Sequence, residues 1–265
     1  MVTTLGSRLT RYALLGLAWL VLLFLMVPVL AVIPLSFNSE PFLSYPLAGI
    51  SLRWYRSVLS SPEWMAALKS SVIVGLATVL IATPLGTLAA FGLVRKAMPN
   101  AQFLMGLLLL PMALPVVVVA LALYMFLTRI GLANSYLGLI IAHSVLATPF
   151  VLISVTASLA GFDFTQIRAG ASLGARPLRV FFMVTLPQIA PGVATGAIFA
   201  FITSWDEVVV ALFVAGPGQR TLPRQMFAGL REQLDPSIMV VATIMVVISV
   251  LLVALGLLLR HRVAR

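Results

Sequence analysis

Six apolar runs constrain this chain more than anything else in it. They fall at residues 12–35, 65–94, 101–127, 136–159, 188–214 and 238–259. Each is at least as long as the ~20 residues that a helix needs to cross the hydrocarbon of a bilayer. Little polar sequence separates them. Of the 265 residues, 62% are hydrophobic and 9% are charged, against about 25% charged in ordinary soluble domains. So little polar surface could not cover such a core in water. In lipid, backbone N–H and C=O groups must be satisfied within the protein. The expected fold is therefore an all-α polytopic membrane protein with about six transmembrane helices, the whole of 1–265 forming one transmembrane domain. The run at 65–94 exceeds one bilayer thickness, so it is expected to tilt or protrude.

The net charge of +10 would fit nucleic acid if the charges formed a stripe. They flank the apolar runs instead, which points to lipid headgroups and away from a nucleic-acid partner. Arg8 and Arg11 precede the first run, which is too long for a signal peptide and lacks a small-x-small cleavage site, so it is expected to stay as an anchor. With the N-terminus inside, ten Lys and Arg fall on the inner side: Arg8, Arg11, Arg95, Lys96, Arg168, Arg176, Arg179, Arg260, Arg262 and Arg265. Seven fall outside: Arg53, Arg56, Lys69, Arg129, Arg220, Arg224 and Arg231. The positive-inside rule thus favours cytoplasmic N- and C-termini. Two outer segments result. Residues 36–64 carry Tyr45, Trp54, Tyr55 and Trp64, suited to the headgroup level. Residues 215–236 carry Met226, Phe227, Leu230 and Leu234, spaced as one face of a short helix.

No Walker A, GxGxxG, HExxH or paired-histidine motif occurs, and no nucleophile–base constellation. The absence of cysteine excludes disulfides, Fe–S clusters and Cys-based metal sites. No enzyme is evident, and a pump built on this chain needs its energy source on another polypeptide. His143, inside a run, is expected to bond across helices rather than to bind metal. Pro111 and Pro115, in LLPMALP, predict a kink near a pathway or an ordinary bend. Ala82-x-x-x-Gly86-x-x-x-Ala90 and Gly192-x-x-x-Gly196 present small faces for close helix packing.

Two features carry function. The first is the basic segment 162–187, FDFTQIRAGASLGARPLRVFFMVTLP. Residues 166–174 read as a short helix ended by Gly174. Pro177 starts a second helical stretch, and Pro187 is expected to interrupt entry to the next run. Such a unit either offers a knob to a partner's groove or lies on the membrane as an amphipathic helix. The second is the pair Asp206–Glu207, the only carboxylates placed within a run. An ionisable group in hydrocarbon costs about 2.5–3.5 kcal/mol and normally faces a wet cavity or a partner. At ~1.5 Å per residue Asp206 lies roughly 21 Å along the helix from Gly192, in its outer half. Neighbouring side chains diverge by about 100°, so one acid could face the pathway and the other a helix or the surface. Trp205 could stack on a cationic group. The pair could equally have emerged at the outer interface beside Arg220 or Arg224.

The 160–187 loop resembles the cytoplasmic coupling loop of permease subunits of ATP-binding-cassette importers. In that pattern Glu-Ala-Ala, three residues and Gly are followed by hydrophobic-x-Leu-Pro. Gly174 takes the Gly position, and Val184-Thr185-Leu186-Pro187 closes the motif. Ala169 matches the first Ala, Gly170 replaces the second, and Arg168 stands where the family has Glu. Further along, Ser204-Trp205-Asp206-Glu207-Val208-Val209-Val210, Gly216-Pro217 and Thr221-Leu222-Pro223 are similar to the C-terminal third of spermidine/putrescine-type permeases. The resemblance touches most of the chain.

It implies a MetI-like type I importer permease fold, a multi-pass subunit of a bacterial inner (plasma) membrane. It implies two ATPase subunits, which carry ATP and Mg, a second permease subunit and a periplasmic solute-binding protein. No cofactor is expected in this chain. ATPase contact is expected at Arg168, Ala169, Gly170, Ala171, Ser172, Leu173, Gly174 and Ala175, with Leu186 and Pro187 leading into the next span. The solute pathway is expected at Trp205, Asp206 and Glu207, favouring a small cation such as a polyamine. The alternatives are an aminophosphonate, an amino-acid derivative or an opine-like solute. From another class, an ion-driven secondary transporter would show an inverted repeat, and none is evident.

Overall fold

The computed structural model of this chain describes residues 5–94, 98–232 and 235–263, with side chains over 10–94, 98–231 and 235–258. Of the residues named above, Arg8, Arg95, Lys96, Leu234, Arg260, Arg262 and Arg265 lie outside the described side chains. Among the described residues the regular structure is helical, with one antiparallel bridge between Asn38 and Ile50.

In chain order the helices are α1 (Leu5–Leu35), α2 (Arg53–Ser60), α3 (Pro62–Val94), α4 (Ala101–Ala113), α5 (Val116–Arg129) and α6 (Tyr136–Leu159). They continue with α7 (Thr165–Ser172), α8 (Pro177–Val180), α9 (Leu186–Trp205), α10 (Val209–Val214), α11 (Leu222–Glu232) and α12 (Ser237–Val263). Among the described residues, five helical stretches are long and apolar enough to cross a membrane, and the bent pair α4/α5 makes a sixth passage if it counts as one.

Three expected elements differ in form. The run at 101–127 is not one helix: α4 and α5 meet at 102°. Leu114 lies between them with φ −87° and ψ 149°, because the ring of Pro115 drives the preceding residue out of the helical region. The run at 188–214 is also divided, since α9 stops at Trp205 and α10 starts at Val209. Asp206 and Glu207 therefore sit in a break rather than inside a continuous span. Pro187, by contrast, interrupts nothing. Phe181–Thr185 forms one turn of π-helix that joins α8 to α9, and Pro187 falls in the first turn of α9. A proline's missing N–H costs little there, and the wide turn absorbs the change of register.

The chain packs as two compact units. One holds the residues up to Ser61 together with Gly229–Ile244. Within it α1 is exposed from residue 10 to residue 30. An apolar helix bare on all sides has lipid or another chain as its solvent. The segment after it folds back on local bonds. Tyr45 Oη donates to Ala31 O at 2.7 Å, Ser36 Oγ and Tyr55 Oη are 2.8 Å apart, and the Phe37 and Tyr55 rings lie 5.0 Å apart. Tyr45 and Tyr55 thus tie down the loop, beyond the headgroup role expected of them.

The second unit comprises Pro62–Ala228 and the residues from Met245 on. Its centre is α3, α6 and α9 packed together. Ser135 caps α6, accepting from Gly138 N at 3.0 Å, which starts the helix where the apolar run begins. The helices approach closely because small residues face one another. Ala82, Ala90, Ala147 and Ala200 are fully buried. A Cβ on Gly86 would lie 2.7 Å from Val151 Cβ, and one on Gly196 would lie 3.0 Å from Val151 Cα. Without a hydrophobic drive between helices in lipid, this contact is what holds them. Two apolar clusters complete the unit. One, with Val74, Leu127, Leu139 and Val214, sits toward the end of α6 where it begins. The other, with Leu93, Val155, Leu159 and Ile189, sits toward the 160–176 loop.

Gly86→Val should wedge α3 from α6 and cost about 1–3 kcal/mol. The melting temperature of the protein in detergent should fall, while Gly92→Val on the same helix, where nothing lies within 4 Å, should leave it unchanged.

Candidate solute site and coupling segment

The two broken spans meet at one cavity. It measures about 220 Å³ and is lined by Pro111, Met112, Leu114, Val116, Leu146, Phe150, Thr203 and Glu207. The first four come from the α4/α5 break, the next two from α6, and the last two from α9 and the break after it. In the bilayer, non-helical backbone is tolerated where it is buried in protein or lines a cavity. Both breaks meet that condition here.

At the second break each acid has a distinct place. Asp206 is the C-cap of α9, with its N–H on Ile202 O at 3.1 Å, and its side chain is exposed. Glu207 is half-buried and lines the cavity. Its Oε1 accepts from Val210 N at 2.9 Å, satisfying an N–H that α10 would otherwise leave open. The C-terminal end of α9 carries a partial negative charge, and both carboxylates add to it. Together they give the break a negative charge. Arg224 and Arg220 point elsewhere: Arg224 donates to Gly216 O at 2.6 Å, and Arg220 is 3.5 Å from Gln225 Oε1. Burial, then the nearby Arg220, lowers the Arg224 pKa from its ordinary value.

Trp205 does not line this cavity. It is 1% exposed, and its ring stacks on Phe201 at 5.5 Å. Next to it, Ser204 shares a 2.8 Å hydrogen bond with His143 Nδ1. This bond pins the end of α9 to α6, as an interhelical histidine was expected to do. Sequence reasoning missed Leu146, Phe150 and Thr203 as cavity residues, since nothing in their types marks them. Pro111 and Pro115 were the available signal. Among the described residues no group of three His, Asp or Glu could hold a metal ion.

The segment that resembles a coupling loop lies at the opposite end of α9. Asp163 opens it by accepting from Thr165 N at 2.9 Å and Thr165 Oγ1 at 2.6 Å. Those bonds, and to a lesser degree the nearby Arg168, hold the Asp163 carboxyl below the usual range. Helix α7 contains Arg168, Ala169, Gly170, Ala171 and Ser172. It closes in a Schellman motif: Ala175 N bonds Gly170 O at 3.1 Å and Gly174 N bonds Ala171 O at 2.9 Å. Gly174 has φ +78°, which favours glycine. Leu173 is 88% and Leu178 73% exposed at the tip, and Arg168, Arg176 and Arg179 are exposed around them. Gln188 Nε2 donates to Gln166 Oε1 at 2.6 Å, which ties α7 to α9. Leu186 is half-buried and Pro187 exposed in the first turn of α9.

Residues 82–265 match the family described as binding-protein-dependent transport system inner membrane component. This chain belongs to that family. It is a multi-pass inner-membrane component of an ABC importer. Among its relatives, the spermidine/putrescine transport system permease protein PotC of Escherichia coli is 30% identical over 230 residues, 87% of each chain. The putrescine transport system permease protein PotI of Escherichia coli is 33% identical over 228 residues, 83% of this chain and 81% of the relative. The molybdenum transport system permease protein ModB of Mycobacterium bovis is 33% identical over 236 residues, 81% of this chain and 88% of the relative. The fold recurs in a bacterial ABC transporter for import of the acidic polysaccharide alginate, with TM-score 0.71, 14% identity and 99% of each chain covered. It also recurs in the MetNI methionine ABC transporter, with TM-score 0.58, 18% identity and 80% of this chain and 96% of that one covered.

Gly174→Ala should cost about 1–2 kcal/mol, because an L side chain is strained at this φ. Gly174→Asn should cost less. Hydrogen exchange of the 170–175 amides should quicken in the order glycine, asparagine, alanine.

Proposed function

We propose that this chain is one of two transmembrane subunits of an importer for a small organic cation of the polyamine class. A periplasmic solute-binding protein delivers the cation, and two ATPase subunits with their ATP and Mg drive its passage. The observation that carries this reading is Glu207 at the cavity where both broken spans meet. The negative end of α9 and Asp206 strengthen the same field. A relative named for molybdenum transport shares as much identity as those named for polyamines, so the acids, rather than the family, favour a cation. They also weigh against an aminophosphonate. Family membership replaces the ion-driven alternative.

On the inner side, ATP-driven closure of the ATPases moves α7. Gln166–Gln188 and the helical path from Pro177 to Trp205 carry that motion along α9 toward Asp206 and Glu207. Arg168 in place of the family's Glu reverses the charge that the partner meets. With Arg176 and Arg179 beside it, and Leu173 and Leu178 at the tip, the segment fits an ATPase groove with an apolar floor and an acidic rim.

The double substitution Asp206→Asn with Glu207→Gln should lower uptake of radiolabelled putrescine by the assembled complex about tenfold, equivalent to about 1.4 kcal/mol. Unchanged uptake would remove the cation site. Separately, Arg168→Glu should weaken ATPase binding about tenfold, measured by titration in nanodiscs of neutral lipid. Equal binding would remove the acidic rim.

A further inference from the structure

The outer end of the second unit carries a surface notch that the proposed solute path does not use. The positive-inside orientation puts the start of α3, the start of α6 and the segment after α10 on this side. The notch measures about 230 Å³ and opens between the start of α3 and residues 217–225. Glu63 stands on the α3 wall and Arg220 on the other, and both are exposed. On α3 the lining positions are 63, 66, 67 and 70, one face of the helix. Ala66 and Ala67 are too small to fill it. The walls are held in place. Tyr136 Oη donates to Gly218 O at 3.2 Å and lies 2.8 Å from Ser70 Oγ. Leu222 N donates to Ser71 Oγ at 2.8 Å, and Arg224 Nη1 to Gly216 O at 2.6 Å. The 216–224 segment is thus tied to α3 and α6, two of the three central helices.

Its charges are not matched. Arg220 reaches Gln225 Oε1 only at 3.5 Å, long for a guanidinium bond. Burial and then the charge of Arg220 lower the Arg224 pKa, so the two guanidinium groups lie close enough to repel. Among the described residues no carboxylate pairs with either. A guanidinium fork without a partner, at the mouth of an open notch, suits a carboxylate from another chain. The wider surface agrees: the outer side carries seven Lys and Arg against Glu40, Glu63, Glu232 and Asp235, which draws an acidic protein face.

We propose that this notch receives the solute-binding protein, one of whose surface carboxylates enters it and pairs with Arg220. The inference rests on the proposed delivery by such a protein and names the surface that takes it. Glu63 on the opposite wall repels the same carboxylate, so it enters from the Arg220 side, which fixes the register of docking. Because the walls belong to α3 and to the segment bonded to α6, a partner seated there bears on the helices that carry the Glu207 break.

The test uses the assembled complex, with its ATPase subunits and second permease subunit, in nanodiscs of neutral lipid. The probe is the purified solute-binding protein encoded with this chain, with and without putrescine. Arg220→Glu should weaken its binding about tenfold. Arg129→Glu, an exposed outer arginine away from the notch, makes the same change of net charge and should shift binding less than about twofold. Salt should weaken wild-type binding more than that of Arg220→Glu. Reversal of one surface acid of the binding protein to lysine should restore binding to Arg220→Glu, and failure of every such reversal overturns the carboxylate contact. If Arg220→Glu does not assemble, Arg220→Gln decides, with a several-fold loss expected. Equal binding by wild type and the Arg220 variant overturns the notch, whether it holds a lipid phosphate or the second permease subunit instead. A binding protein that does not bind wild type in either state removes the delivery reading and the notch with it. If Asp206→Asn with Glu207→Gln transports putrescine normally while Arg220→Glu loses docking, the cation site falls and the notch stands.

Discussion

Hydrocarbon offers no partner to an open N–H or C=O, and every other feature of this molecule follows from how that demand is met. Most of the chain meets it by staying helical. At two places it does not: Leu114–Pro115 between α4 and α5, and Asp206–Val208 between α9 and α10. Both breaks open on the same cavity. There Glu207 supplies the acceptor that the start of α10 lacks. The same carboxylate that satisfies the backbone also charges the cavity. Structural need and the proposed solute recognition thus converge on one side chain.

Close packing makes that convergence possible. Gly86, Gly192 and Gly196 let α3, α6 and α9 approach to backbone contact, and the His143–Ser204 bond fixes the end of α9 against α6. A rigid centre of this kind transmits displacement rather than absorbing it. The proposed coupling segment enters the same centre through Gln166–Gln188 and the π-turn at Phe181–Thr185. Motion imposed on α7 therefore has a continuous path to the break at Asp206.

Much of this was legible in the residues. The apolar runs located the long helices, and the run at 136–159 bounded α6 as observed. Gly174 announced the end of α7 because glycine is suited to the left-handed turn there. Pro111 and Pro115 announced a bend, though not its 102°. The break after Trp205 was not legible. The run of Val208, Val209 and Val210 reads as uninterrupted span, and only the bond from Val210 N to Glu207 shows why the helix restarts there. Trp205 beside two acids invited a solute-stacking role, yet its ring is buried against Phe201.

The sequence by itself determined the solvent, the long apolar helices and the family, because these depend on composition, run length and local spacing. The tertiary structure alone decided which residues share a cavity. Phe150 and Phe199 are 49 positions apart in the chain, and nothing in either residue predicts that their rings meet. Leu114 and Glu207 face one space only because two separate helices break at the same level. Local pattern reports what each segment does with its own backbone. Which breaks coincide is set by the packing of helices against one another, and no single segment contains that information.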